Sequence, residues 1–215
     1  MAAPIGVLGG TFDPVHHGHL RLAIECLHDF AFSEVRLIPV HTPPHRDAPA
    51  ASAAQRLAML QKAVEGRMGL VADDREVRRG GVSYTIDTAR SLREEFGVRP
   101  LCLIMGMDAF QLLHTWRRWT ELPEYVHIVV VNRPGSALEF QHREVAGLYS
   151  QRSVADLSAL AAKPSGSILK ADIPLLDISA ARIRGLIAAG RDASFLLPPP
   201  VLDHIRREGI YQSSQ

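Results

Sequence analysis

The chain has 215 residues, 47% hydrophobic and 22% charged, with a formal net charge of +1 and two cysteines. That length can bury a sizeable core in one domain, and the near-neutral charge excludes a binder of nucleic acid or anionic membrane driven by bulk electrostatics. Cys26 and Cys102 each sit inside an apolar periodic segment, which excludes a disulfide scaffold and suits a reducing cytoplasm; no run approaches membrane-spanning length, and no signal peptide is expected before the first strand.

The first apolar segment, Ile5 to Leu8, reads as a buried strand, and Leu20, Leu22, Ala23, Cys26, Leu27 and Phe30 then recur at helical spacing. Between them runs Gly9-Gly10-Thr11-Phe12-Asp13-Pro14-Val15-His16-His17-Gly18-His19-Leu20, a strand-to-helix turn. In open parallel sheets ligands collect outside the carboxyl ends of strands at such turns. Gly9 and Gly10 allow a tight turn and a close approach of backbone to ligand. Pro14 stiffens the loop. Gly18 opens the helix, where free amides and the macrodipole favour an anion. His16 and His19 lie on one face of the first turn and can hydrogen-bond phosphate oxygens without a full buried charge. Three histidines within four residues could also suggest a metal, but nothing nearby completes a zinc pattern and none is expected.

Glu34 to Val40 is the second strand, parallel to the first across the intervening helix. The loop His41-Thr42-Pro43-Pro44-His45-Arg46-Asp47 follows. By composition it reads as solvated surface; its functional reading is that the prolines aim His45 and Arg46 at a phosphate, which a guanidinium grips with a charged fork. Ala53 to Val64 is a helix and Leu70 to Ala72 a short third strand. Asp73, Asp74, Arg75, Glu76, Arg78 and Arg79 form a mixed charge cluster, read as a solvated edge before the Gly80-Gly81 turn.

Ser83-Tyr84-Thr85-Ile86-Asp87 opens a helix running to about Phe96, with Ser83 or Thr85 as N-cap; its free amides could hold a small carboxylate. Leu101 to Met105 is apolar throughout, as a central parallel strand should be. At its end Gly106 and Asp108 suit either a sugar contact or a helix start. Trp116, just beyond, is core or a stacking face for a flat heterocycle. Val126 to Val131 is a fifth strand, Arg133-Pro134-Gly135 a turn, and residues 136–166 an irregular helix and loop. Ser167 to Ala171 is a sixth strand. The helix from Asp177-Ile178-Ser179 stops at Gly190, with Ser179 as cap and Arg184 offering a guanidinium. Pro198-Pro199-Pro200 ends any continuation, and Val201 to Glu208 is a closing helix.

Five segments together, GGTFDPVHHGHL, IPVHTPPHR, SYTIDT, IMGMD with HTW beyond it, and ISAARIR, resemble the bacterial nicotinate-nucleotide adenylyltransferases of the HxGH nucleotidyltransferase superfamily, in order and along nearly the whole chain. The closing LLPPPVLDHI is similar as well. The resemblance implies an α/β fold, a doubly wound Rossmann-like parallel sheet with helices on both faces. It spans residues 1–215 as one domain with a small helical part from about residue 172. It implies adenylyl transfer from ATP to nicotinate mononucleotide, giving deamido-NAD and pyrophosphate, with Mg²⁺ carried by ATP. Neither nucleic acid nor membrane is implied as a partner, and a homo-oligomer stays open. By position, His16 and His19 would contact the phosphates, with Arg46 and Arg184 as further clamps. Gly9, Gly10, Thr11 and Phe12 would line the nucleotide site, and His45 would meet the triphosphate. Gly106 and Asp108 would contact the ribose, and Ser179 a phosphate. Tyr84 and Thr85 would receive the nicotinate carboxylate on backbone amides, with Trp116 stacked on the pyridine ring. One departure is Ala181, where the family usually has Thr; a hydroxyl near the phosphates is missing.

Overall fold

A computed structural model describes residues 2–44, 47–132 and 140–212. In chain order the elements are β1 (Ile5–Gly10), α1 (His17–Asp29), β2 (Glu34–Pro39), α2 (Ala53–Val64), β3 (Leu70–Ala72), α3 (Arg75–Arg79), α4 (Thr85–Phe96), β4 (Leu101–Gly106) and α5 (Met107–Gln111). There follow α6 (Leu122–Tyr125), β5 (His127–Asn132), α7 (Arg143–Arg152), β6 (Ser153–Val154), α8 (Ser158–Ala161), β7 (Ile168–Asp172), α9 (Ala180–Ala188) and α10 (Pro199–Arg207).

The strands form one sheet in the order β3-β2-β1-β4-β5-β7-β6. Every described pairing is parallel, from Ile5 opposite Glu34 on one side and Leu101 on the other to Ile168 opposite Ile128. The fold is therefore the expected α/β, Rossmann-like one. The order runs outward from β1 in one direction and outward from β4 in the other. The junction of β1 and β4 is thus the switch point, outside whose carboxyl ends a crevice opens.

Alternating side chains divide the core between the faces. Leu8, Cys102, Ile104 and Val129 point toward α1, α2, α9 and α10, which supply Ala23, Cys26, Met59, Leu60, Ile183, Val201 and Ile205. Ile5, Val7, Leu101, Leu103 and Ile128 point toward α4 and α5, where Ile86, Leu92 and Phe110 meet them. β4 and β5 are buried along nearly their whole length, which explains their unbroken apolar sequence.

Four local expectations change. The Asp73–Arg79 segment is no solvated edge: it contains α3, and Asp73, Arg75 and Glu76 are buried. The N-cap of α4 is Tyr84, between the two proposed caps; Thr85 is the first helical residue, and no side chain caps the helix. Ser83 turns away because its Oγ accepts the His41 N–H at 2.9 Å. The closing helix, α10, starts at Pro199 rather than Val201, since a proline in the first turn lacks an N–H that would have no helical partner anyway; α9 ends well before the prolines, at Ala188. The stretch read as irregular contains α7, β6 and α8, and β6 adds an edge strand beside β7. α7 docks through Tyr149 on Phe110, ring centroids 6.2 Å apart. Its N-cap His142 stacks on His114 at 3.8 Å. The Arg133-Pro134-Gly135 turn lies outside the described residues. Among the described residues no helix is long and apolar enough to cross a membrane.

Candidate active site

The carboxyl ends of β1 and β4 are open. A Cβ placed on Gly9 or Gly106 would meet no atom within 4 Å, so both strand ends face free space. Gly10 differs, since its added Cβ would fall 3.0 Å from the Phe12 ring, which folds back beneath it. Phe12 holds φ at 50°, a left-handed conformation rare for a bulky residue, and it is buried.

The turn delivers the two histidines together. His16 is the N-cap of α1 and His19 its third residue. Their rings stack at 3.7 Å with 24° between planes, and the edge of Phe12 meets His19 at 4.9 Å. Gly18 fits tightly here: an added Cβ would lie 3.0 Å from His16 Nδ1 and 3.3 Å from the Leu176 carbonyl, so both would have to give way by a few tenths of an ångström. The His16 backbone N–H donates to His19 Nδ1 at 3.3 Å. A neutral His19 must then carry its proton on Nε2, leaving a donor for a ligand. Burial pushes His19 down to about 3, with the neighbouring His16 adding to the effect. Burial likewise lowers His16 to about 4, assisted by His17. Both imidazoles are neutral at physiological pH. His16 Nδ1 is buried without a hydrogen-bond partner.

α9 enters from the far end of the sequence. Arg184 Nη1 donates to the Asp13 carbonyl at 2.6 Å and stands 3.7 Å from Asp13 Oδ2. The fold thus brings Arg184 to the histidine turn. Ser179 caps α9 by accepting the Arg182 N–H at 3.4 Å. His17 N–H donates to the Leu196 carbonyl at 3.0 Å, so the segment after α9 also crosses the start of α1.

A second group of expected residues gathers beside α4. Ser83 N–H donates to the Thr42 carbonyl at 2.9 Å, which joins the β2 loop to the start of α4. Tyr84 and Trp116 pack against the same core cluster, and the Arg117 guanidinium lies 4.6 Å over the Tyr84 ring. Thr85 is the first residue of α4, which no side chain caps; the Asp87 N–H already donates to the Tyr84 carbonyl at 3.0 Å, and the Thr85 and Ile86 amides are left to face an anion. Asp108 is exposed in the first turn of α5 and does not cap it; Gly106 is the N-cap. His45 and Arg46 lie outside the described residues.

Sequence reasoning missed three residues at this turn. The Asp13 carboxylate accepts the Ala50 N–H at 2.8 Å, the Ala51 N–H at 3.1 Å and the Tyr211 hydroxyl at 2.7 Å. Arg56 on α2 donates to the Thr11, His41 and Ala51 carbonyls. Arg56 falls in an ordinary helical segment and Tyr211 near the chain's end, so neither carried a local motif. Asp13 stood inside the strongest motif, but its hydrogen-bond partners are distant in sequence.

Among the described residues no group of three or more His, Cys, Asp and Glu could hold a metal ion. The arrangement offers neutral imidazole donors, the Gly18 amide at the start of α1 and a guanidinium around open strand ends, which suits a polyanion.

The comparisons agree with this chemistry. The cytidylyltransferase-like family model matches residues 7–186. A Marinobacter nauticus protein named "Probable nicotinate-nucleotide adenylyltransferase" is 50% identical over 206 residues, 95% of each chain. An Aeromonas salmonicida protein of the same name is 46% identical over 213 residues, 99% of each. A solved structure of Plasmodium falciparum nicotinic acid mononucleotide adenylyltransferase, complexed with NaAD, superposes with a TM-score of 0.73 over 98% of both chains at 14% identity, a likeness of fold.

Proposed function

The chain belongs to the nicotinate-nucleotide adenylyltransferases, nucleotidyltransferases of NAD biosynthesis within the cytidylyltransferase-like family, and from that premise we propose that it joins ATP to nicotinate mononucleotide by direct in-line displacement. A phosphate oxygen of the mononucleotide attacks the α-phosphorus of ATP. The bond to the β-phosphate bridging oxygen breaks, and pyrophosphate leaves with that electron pair, giving deamido-NAD.

The observation that carries this reading is the neutral, stacked His16–His19 pair at the start of α1, beside the open ends of β1 and β4. The nucleophile is already ionised near neutral pH, since a phosphate monoester loses its second proton at about pH 6. It needs no general base. No covalent intermediate is required either, and no Ser or Cys nucleophile is assigned. The protein aligns the oxygens and stabilises charge as it spreads over the phosphates. His19 Nε2–H, His16 and the Gly18 amide meet phosphate oxygens, with Arg184, Arg46 and His45 completing the clamp and Ser179 beside them. Gly9, Gly10, Thr11 and Phe12 form the floor under the nucleotide, and Gly106 and Asp108 receive the ribose. Mg²⁺ arrives on the triphosphate. Three protein donors already engage the Asp13 carboxylate, which ties it to the scaffold of the turn.

The acid substrate is favoured at α4. The Thr85 and Ile86 amides donate to a carboxylate, whereas the neutral carboxamide would direct an NH₂ at them, with Tyr84 and Trp116 flanking the ring. Each buried donor left unpaired costs roughly 1–3 kcal/mol, about 5- to 150-fold in rate. Cys26 and Cys102, both free and buried, suit a cytoplasmic setting.

Pyrophosphate release with ATP and a panel of acceptors tests the reading: nicotinate mononucleotide should be used far faster than nicotinamide mononucleotide or phosphopantetheine. Equal rates on the acid and the amide, or turnover only with phosphopantetheine, would contradict it.

A further inference from the structure

Arg56 is 1% exposed, yet no carboxylate pairs with it among the described residues. Its guanidinium is instead distributed over three backbone carbonyls. Nε donates to Ala51 at 3.1 Å, Nη1 to Thr11 at 2.8 Å and Nη2 to His41 at 3.0 Å. These carbonyls belong to the segment after β1, the segment after β2 and the approach to α2. One rigid planar fork therefore fixes three chain segments relative to one another. Burying a cation against neutral carbonyls is a poor device for stability alone, since an apolar side chain of similar volume serves a core as well or better.

Asp13 grips the same structure from the opposite side. Its carboxylate takes the N–H groups of Ala50 and Ala51, so that stretch is held by its amides on Asp13 and by its Ala51 carbonyl on Arg56. Tyr211, beyond α10, adds a hydroxyl to Asp13 Oδ1 at 2.7 Å, and Arg184 reaches the Asp13 carbonyl. Between the Arg56-bound carbonyl of Thr11 and the Tyr211-bound carboxylate of Asp13 stands Phe12, in its left-handed conformation and edge-on to His19. A bulky residue keeps that backbone only where its surroundings impose it.

We propose that Arg56 and Tyr211 are positioning residues for the transfer site: together they hold the Thr11–Asp13 turn in the geometry from which His16, His19 and Arg184 act. The proposal rests on the adenylyl-transfer reading above. The Arg56 side chain is 1% exposed and each guanidinium nitrogen donates to a backbone carbonyl, so it acts on turnover through the turn and not by touching substrate. Tyr211 makes the far end of the chain part of the site's scaffold.

The test is steady-state pyrophosphate release by wild type, Arg56→Lys and Tyr211→Phe, with thermal unfolding measured in parallel. Lysine keeps the charge but cannot span three carbonyls; phenylalanine removes only the hydroxyl. Arg56→Lys should lower kcat per folded molecule by roughly 10²-fold, the scale of an ångström-size misalignment, with KM for the mononucleotide little changed. Tyr211→Phe should lower the same parameter by less. A folded variant with a lower Tm but undiminished kcat overturns the positioning role of its residue. Should Arg56→Lys fail to fold, Tyr211→Phe alone decides. A wild type inactive with every mononucleotide overturns the transfer reading and this proposal with it, whereas an active wild type with undiminished variants overturns the proposal alone.

Discussion

Two clusters of polar side chains in this molecule are built on opposite rules. At the β2–β3 side, Asp73 receives Arg75 through Nε and Nη2 and Arg36 through Nη1 at 2.9 Å, while Arg75 also reaches Glu95 at 2.8 Å. Burial alone would raise the Asp73 carboxyl, but the hydrogen bonds from Arg75 and Arg36 outweigh it and hold it below the usual value. Cation and anion satisfy each other among these four side chains, while the neighbouring Glu76 keeps one buried carboxylate oxygen, Oε2, without a partner. At the β1–α1 turn the cations donate to backbone carbonyls, the histidines are neutral, and the buried His16 Nδ1 has no partner. A cluster that satisfies itself holds a fold, whereas a cluster with donors left over is arranged for something it lacks.

That contrast can be broken from either side. The largest effect is expected from Asp73→Ala, which leaves Arg36 with Glu34 and the buried Arg75 with the half-exposed Glu95; removing one partner of a buried pair costs about 3–5 kcal/mol, an upper bound here. Urea titration should show this loss, while kcat of the folded fraction stays at the wild-type value. His19→Ala should do the reverse: stability changes little and kcat falls about 10²-fold or more, as when a transition-state donor is removed. An undiminished kcat would remove His19 from the chemistry.

A smaller effect follows from the depressed histidines. Between their folded values, about 4 for His16 and about 3 for His19, and the ordinary 6.5, the unfolded chain binds more protons. Stability is therefore fully present above pH 6.5 and declines as pH falls through that window. Replacing His19 with Gln should flatten the acid limb of a Tm–pH curve. The smallest effect is expected at Ser179, a long and exposed cap, where Ser179→Ala should cost about 0.5–1 kcal/mol. A larger drop in ATP affinity than in stability there would mark Ser179 as a phosphate contact.

The same contrast explains what the sequence disclosed. Strand β4 and helix α1 were legible because burial writes period and apolarity directly into residues such as Leu101 to Met105 and Ala23 to Phe30. The turn from Gly9 to His19 was legible because its glycines and histidines act locally. Arg56, Tyr211 and the buried Asp73 cluster were not, since each is defined by partners far along the chain: Tyr211 meets Asp13, and Arg75 meets Glu95. Charged letters in a row look solvated until the fold shows which of them face one another. The misplaced α4 cap has the same origin, because Ser83 is drawn away by His41 from the β2 loop.

The central claim is that the leftover donors at the β1–α1 turn grip a triphosphate, and a crystal structure with a non-hydrolysable ATP analogue tests it most directly. The account predicts phosphate oxygens within hydrogen-bond distance of His19 Nε2 and the Gly18 amide, with Arg184 turned toward them. A triphosphate seated instead in the arginine-lined groove of Arg75, Arg78, Arg79 and Arg90, with His19 untouched, would contradict it.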